Sequence, residues 1–300
     1  MHPRLPEDEK IAHASLTAQN DVIEQWSTIC GCRMRFLQAG DPQGPPLLLI
    51  HGLLGYSFSW RYNLAALARS RRLLAPDLPG VGFSERVPGL DCSLPAMARR
   101  LLCFLREQGV ASVDILGTSH GGGLAIVLAA LAREQSVEIK KLVLVAPVNP
   151  WSRHGLAITS LLSTPAGAAL YRAMRPFFRF AHRIALARMY GDPRRISPGT
   201  LEGYSAPLRI EGTTDHVLRI VDCWKSDLSE IGSALPKVAD LPTLLVWGDR
   251  DRAVLPSSAA ALTAQFHSAE LAIIRTAGHL PYEELPDEFN RLVETFLRSD

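Results

Sequence analysis

Gly117-Thr118-Ser119-His120-Gly121-Gly122 is the stretch on which the reading of this chain turns. The largely apolar run Val113-Asp114-Ile115-Leu116 precedes it, and residues 124–131 after it are apolar on nearly every side. That order reads as a buried strand, a tight turn and a buried helix. Glycines on both sides of the turn permit a bend sharp enough to lift one hydroxyl, that of Ser119, clear of the backbone. The same pattern also fits an ordinary strand-to-helix turn with a capping serine, so the surroundings must decide.

Outward from the turn, strands alternate with helices. Residues 47–50 form a continuous apolar run ending on His51-Gly52, after the dense turn signal Gly40-Asp41-Pro42-Gln43-Gly44-Pro45-Pro46. Further strands are expected at 72–75, leading into Asp77-Leu78-Pro79-Gly80-Val81-Gly82-Phe83-Ser84, and at 142–145, 243–247 and 271–275. Helical patterns fall between them at about 58–68, at 94–108 with Gly109 as C-cap, and at 257–266 and 286–297. Residues 27–39 alternate as an edge strand does. Helix-length crossovers between buried strands specify right-handed βαβ units, hence an α/β fold with a mainly parallel central sheet flanked by helices.

The rhythm breaks after Ala146-Pro147. Residues 149–235 carry no buried strand run, only helical stretches such as 168–175 and 177–189, before strand and helix resume. The expected organisation is a polar lead-in over 1–20, a core domain over 21–148 and 236–300, and a helical cap insertion over 149–235 at one end of the sheet.

Composition narrows the possible classes. With 47% hydrophobic and 21% charged residues over 300 positions, the chain can bury a sizeable core. A net charge of +2 gives no general attraction for nucleic acid. Cysteines 30, 32, 92, 103 and 223 are odd in number and scattered, which argues against a disulfide framework, and no second Cys or His pair gives Cys30 and Cys32 metal-ligand spacing. Gly80-Val81-Gly82 lacks the third glycine of a dinucleotide turn, since Glu85 stands there, and there is no phosphate-loop lysine. No metal or cofactor is therefore expected. The first ten residues have no apolar signal-peptide stretch and no uncharged run reaches transmembrane length, so a cytoplasmic protein is expected.

In an open parallel sheet, ligands bind outside the carboxyl ends of the strands, and His51, Asp77, Ser119, Asp251 and His279 all fall just after expected strand ends. A serine that attacks a carbonyl needs a base, and the base needs an acid to fix its tautomer. The candidate base is His279, in Ala277-Gly278-His279-Leu280-Pro281. The candidate acids are Asp249 and Asp251, in Trp247-Gly248-Asp249-Arg250-Asp251.

With these motifs assembled, the chain resembles the α/β-hydrolase fold superfamily, in its cap-bearing branch of esterases, lipases, carbon–carbon bond hydrolases, epoxide hydrolases and haloalkane dehalogenases. The matching features are His51-Gly52, the Asp77-x-Pro79-Gly80-x-Gly82-x-Ser84 loop, the Gly117 to Gly121 elbow, Gly248-x-x-Asp251 with Pro256 beyond it, and Gly278-His279. The resemblance implies Ser119 as nucleophile, His279 as base and later acid, and Asp251, three residues after the glycine, as the orienting carboxylate. It also implies an oxyanion hole from the backbone amides of Leu53 and His120, with His51 bracing that loop, Asp77 pinning its own turn and the His120 imidazole structural. Epoxide hydrolases and dehalogenases carry aspartate at the elbow, so a serine there implies acyl chemistry, namely hydrolysis of a carboxylic ester through an acyl-enzyme. The competing readings are a carbon–carbon bond hydrolase acting on a diketone-like acid and a ligand-binding module without turnover.

Between Trp151 and Thr200 stand eight arginines, 153, 172, 175, 179, 183, 188, 194 and 195, against one acid, Asp192, with Tyr171, Phe177, Phe178, Phe180 and Tyr190 among them. Two readings stay open: a lid whose basic face meets anionic lipid or an acidic substrate, and a helix with a solvated charged face. Candidate pocket walls are Leu54, Phe58, Trp60, Trp151, Val254 and Leu280, each of which equally suits plain core; as a lining they would suit a small-molecule ester with an apolar acyl or alkyl part.

Overall fold

A computed structural model describes residues 22–152 and 156–299. The expected lead-in over 1–20, and Arg153, lie outside the described residues. Eight strands form one sheet in the order β1-β2-β4-β3-β5-β6-β7-β8. They are β1 (Ile23–Ile29), β2 (Cys32–Ala39), β3 (Pro46–Ile50), β4 (Arg72–Pro76), β5 (Ser112–Thr118), β6 (Glu138–Val145), β7 (Thr243–Gly248) and β8 (Ala269–Ile274). The pairs β1/β2 and β2/β4 are antiparallel, and from β4 to β8 every pair is parallel. All six residues of β7 are buried, as are four of five in β3, because helices cover both faces of the sheet.

The helices are α1 (Leu64–Leu67), α2 (Leu94–Glu107), α3 (His120–Ala132), α4 (Leu156–Leu162), α5 (Pro165–Ala173), α6 (Phe178–Met189), α7 (Thr200–Ser205), α8 (Thr213–Val238), α9 (Ala259–Thr263), α10 (Pro281–Glu284) and α11 (Pro286–Arg298). One apolar cluster joins the sheet to α2, α3, α8 and α9, and a second joins the other face to α1, α10 and α11. In α11 the buried positions Phe289, Val293, Phe296 and Leu297 recur at spacings of four, three and one, the stripe of a helix lying on a sheet. In α3 every residue but Leu131 is buried, which accounts for a run apolar on all sides.

Several expected boundaries move. The single edge strand over 27–39 is a hairpin, β1 and β2, reversing at Cys30-Gly31, where φ is 49° and 79°. Positive φ at both central residues is what a tight type I′ turn requires, and Gly31 meets that demand at no steric cost. The helix expected over 58–68 is a 3-10 turn at Ser57–Trp60 followed by the one-turn α1. The boundary drawn at 235 falls inside α8, which runs on to Val238 with Pro236 in its last turn. Among the described residues, all five α-helices between β6 and β7 belong to the stretch that interrupts the alternation.

Candidate active site

Ser119 joins β5 to α3 with φ 53° and ψ −121°, a conformation that costs a non-glycine residue about 1–3 kcal/mol. Its neighbours make that turn feasible. A Cβ at Gly117 would stand 2.5 Å from the Gly121 carbonyl oxygen, and one at Gly121 would stand 2.2 Å from the carbonyl oxygen of His51. The Ser119 backbone is fully engaged: its N–H donates to Val145 O at 2.9 Å, and its carbonyl accepts from Val148, Gly122 and Gly123. Only the side chain is left to act, and it opens into a cavity of about 420 Å³.

His279 opens into the same cavity from the loop after β8. Its Nδ1 meets Asp251 Oδ2 at 2.7 Å, both side chains being buried. The other Asp251 oxygen accepts from the backbone N–H groups of Ala253, at 2.7 Å, and Val254, at 3.0 Å, so the carboxylate is fixed before it meets the imidazole. A carboxylate at Nδ1 places the proton there and leaves the Nε2 lone pair free. Asp249, the alternative acid, instead accepts from the Thr276 N–H at 2.6 Å and is exposed. Among the described residues no hydrogen bond joins Ser119 Oγ to His279; contacts of this kind commonly tighten only in the complex with substrate.

Leu53 lines the cavity and precedes Leu54, whose φ of 60° strains the turn. Neither the Leu53 N–H nor the His120 N–H is taken by another group among the described residues. Beneath them His51 Nδ1 donates to Gly52 O at 2.9 Å, and His51 Nε2 accepts from the Leu78 N–H at 3.0 Å. That arrangement fixes the neutral tautomer, and burial pushes the His51 pKa down. Asp77 accepts from the N–H groups of Ser57 and Phe83 and from Arg35, tying its loop to the adjoining strand. The His120 imidazole lies stacked on Trp224 with its Nε2 buried and unpartnered, and burial holds its pKa down at about 4. It faces a small void behind the Leu53 turn rather than the cavity of Ser119.

Of the expected pocket walls, Leu54, Val254 and Leu280 line the cavity. Phe58, Trp60 and Trp151 do not. Phe58 is packed under α7, where a Cβ at Gly203 would stand 2.3 Å from its ring, and Arg61 lies 4.2 Å over its face. Trp60 is fully buried against Tyr282, while Trp151 is 40% exposed away from the cavity. An aromatic after a strand suits core as well as pocket, and here the core took two of the three. Tyr204, Tyr282 and Ser59 supply the missing wall, and Arg188 and Arg252 stand among the lining residues with no carboxylate. Sequence reading singles out Arg188 only as one of eight arginines and does not find Tyr204, because both come from the stretch between β6 and β7, where no motif anchors the alignment of one helix on another.

Glu284 was also missed. Its buried carboxyl accepts from the N–H groups of Gly278, at 2.5 Å, Gly191, at 2.9 Å, and Asp192, at 3.2 Å, and Arg195 stands 3.6 Å away. Burial pushes its pKa up while those N–H groups pull it down. With the His279 N–H donating to Met189 O at 2.6 Å, the loop carrying the imidazole is bound to the end of α6 at two points. Neighbouring Glu283 is paired with Arg61 at 2.5 Å and accepts from Tyr190 and Tyr204, a buried network under the cavity wall. Among the described residues no cluster of three or more His, Cys, Asp or Glu could hold a metal ion, and no helix is long and apolar enough to cross a membrane.

Comparison with known proteins agrees with this architecture. A family profile described as alpha/beta hydrolase fold matches residues 45–286. The chain is 27% identical over 297 residues to the dihydrolipoyllysine-residue acetyltransferase component of the acetoin cleaving system of Pseudomonas putida, spanning 97% of this chain and 73% of that one. It is 27% identical to Lipase 1 of Psychrobacter immobilis over 89% of this chain and 81% of that one. It is 32% identical to 2-hydroxymuconate semialdehyde hydrolase of Pseudomonas putida over 85% of this chain and 88% of that one. Among solved structures, the epoxide hydrolase CorEH superposes with a TM-score of 0.80 at 21% identity over 92% of this chain and 99% of that one, a likeness of fold alone. With the profile covering most of its length and the sheet order to match, this chain belongs to the alpha/beta hydrolase fold family.

Proposed function

We propose that the chain is a serine hydrolase that cleaves carboxylic esters through an acyl-enzyme. The observation that carries this reading is the convergence of Ser119, on its strained turn, and the His279–Asp251 pair on one cavity. In the proposed cycle His279 Nε2 takes the Ser119 proton as Oγ adds to the ester carbonyl, and the amides of Leu53 and His120 donate to the oxyanion. The proton then passes from His279 to the leaving alkoxide. Water, deprotonated by the same nitrogen, releases the acid and restores the serine.

The helices α4 to α8 act in this reading as a lid over the cavity, with the unit extending to Val238 rather than ending at 235. The lining is largely apolar, with Leu54, Ile158, Leu186 and Val254 on its walls, which suits an ester with an apolar acyl or alkyl part. A second reading, cleavage of a carbon–carbon bond in a diketone-like acid, is favoured by one observation: Arg188 and Arg252 face the cavity with no lining carboxylate to neutralise them.

The test is a series of nitrophenyl esters of rising acyl length beside a diketone acid, with Ser119→Ala as control. Ester turnover that falls at least about 10⁴-fold in the variant supports the first reading. Turnover of the diketone acid alone selects the second, and tight binding without turnover of either makes the protein a binding module.

A further inference from the structure

Outside the lining of this cavity, two thiols meet. Cys30 stands in the β1–β2 turn and Cys103 on α2, 73 residues apart in sequence, with their Sγ atoms 3.5 Å apart. A disulfide bond needs about 2.05 Å, so closure asks for a shift of roughly 1.5 Å. The pair is placed to make it. Cys30 is exposed on a two-residue turn, Cys103 is half-buried, and both are free. Cys32, the nearest cysteine in sequence, is buried.

The surroundings point to a reagent. Arg106 Nη2 donates to Cys103 Sγ at 3.2 Å, which sets a guanidinium beside the sulfur. Beside the pair lies a cleft of about 370 Å³ lined by Arg99, Arg100 and Arg106, with no carboxylate among its lining residues. Such a cleft concentrates anions. The scattered spacing of the cysteines argues against a disulfide framework, and this pair is no exception from sequence alone: only the hairpin turn, folded back on α2, brings positions 30 and 103 together.

We propose that Cys30 and Cys103 form a redox-active dithiol that exchanges with anionic low-molecular-weight disulfides of the glutathione type and closes into an intramolecular disulfide. The Cys103 thiolate attacks one sulfur of R–S–S–R and expels one RS⁻, leaving a mixed disulfide on Cys103. Cys30 gives its proton to solvent and attacks Cys103 Sγ, expelling the second RS⁻. Two protein thiols are oxidised to one disulfide, and R–S–S–R is reduced to two RSH. The product would tie the first hairpin to α2, and nothing in it depends on the hydrolytic reading.

The experiment treats reduced, oxygen-free protein with excess glutathione disulfide, and in parallel with the cationic disulfide cystamine. The expected result is that titration in denaturant finds two fewer free thiols than the five of the sequence. Peptide mapping then joins the Cys30 and Cys103 peptides, and dithiothreitol reverses the link. In Cys30→Ser the reaction stops with one glutathione held on Cys103. Glutathione disulfide reacts several-fold faster than cystamine at low salt, and the gap closes at high salt, where a charged cleft is screened. A thiol count that stays at five, or a link between Cys30 and Cys32, overturns the dithiol. Equal rates with the two reagents at low salt overturn the anionic preference.

Discussion

The carboxyl rim of the sheet and the helices above it are built on opposite principles. In α3, behind the Ser119 turn, 12 residues are buried. In α4, α5 and α6 together only Gly167 and Leu186 are. At the rim, His51, Asp77, Asp251 and Glu284 each hold hydrogen bonds to backbone amides or carbonyls, so loops are fixed to one another by groups that cannot drift. Above it, Ile158, Leu161, Leu170, Phe177, Phe180 and Ile184 are each at least 48% exposed, with arginines between them. Burial of apolar surface is what resists local opening, so the rim belongs to the globally stable part of the molecule and α4 to α6 to its least stable part. In the proposed function, chemistry that needs atoms held to fractions of an ångström falls to the first, and admission of an apolar substrate to the second.

The sharpest way to break this comparison is to disturb the rim without unfolding it. Asp251→Asn retains an oxygen for the Ala253 and Val254 amides but presents an amide nitrogen or a weaker acceptor to His279 Nδ1. The imidazole then loses the carboxylate that holds its proton on Nδ1. Ester kcat is expected to fall about 10³- to 10⁴-fold with little change in KM, read by steady-state kinetics. A variant within tenfold of the parent would mean that the rim's rigidity serves something other than this proton transfer.

Glu284 tests the seam between the two regions. Gln at 284 keeps one acceptor oxygen and turns an NH₂ group toward backbone N–H donors at Gly191, Asp192 or Gly278. Both the loop of His279 and the end of α6 lose their shared anchor. The expected outcome is a fall of about 10- to 100-fold in kcat/KM, shared between kcat and KM because positioning and the roof are affected together. A change confined to thermal stability, with kinetics intact, would show that the rim holds its geometry without the roof.

The same contrast explains how much could be read beforehand. The sheet, the elbow and the His279 loop were legible because glycine patterns and apolar runs are local signals of backbone demands: Gly117 and Gly121 are required by carbonyl oxygens within 2.5 Å of any added Cβ. The hairpin was missed because Cys30 occupies a position with φ 49° where asparagine or aspartate is the usual signal. Sequence alone could not choose between pocket and core for Phe58 and Trp60, because their burial depends on Gly203, Tyr204 and Tyr282, residues far away in sequence. The cap boundary expected at 235 falls inside α8, which runs on to Val238. What the sequence hides here is either a contact between elements or a backbone conformation that its residue does not signal.

Helix α8 joins the two regions, and Asp227 on it gives the smallest and most diagnostic effect. Its Oδ1 accepts from the Leu94 N–H at 2.9 Å, at the start of α2, while Oδ2 is buried without a partner. Burial pushes its pKa up to about 7, with repulsion from Glu230 and Asp91 adding to the rise and the Leu94 hydrogen bond opposing it. An unfolded aspartate ionises near pH 4, at about 3.9. Below that value both states are protonated and the carboxyl makes no pH-dependent difference. Between about 4 and 7 the unfolded chain releases a proton that the folded chain keeps, so stability falls as pH rises, and above about 7 the loss is complete. Asn at 227 keeps a carbonyl for the Leu94 amide and removes the ionisation. The variant should therefore match the parent near pH 4 and exceed it by on the order of 1–2 kcal/mol at pH 8, after allowance for solvent screening. Urea unfolding of both proteins at the two pH values measures this directly. A difference that is the same at both would mean that the Asp227 carboxyl is solvated, and that α8 is less firmly seated on the core than on the roof.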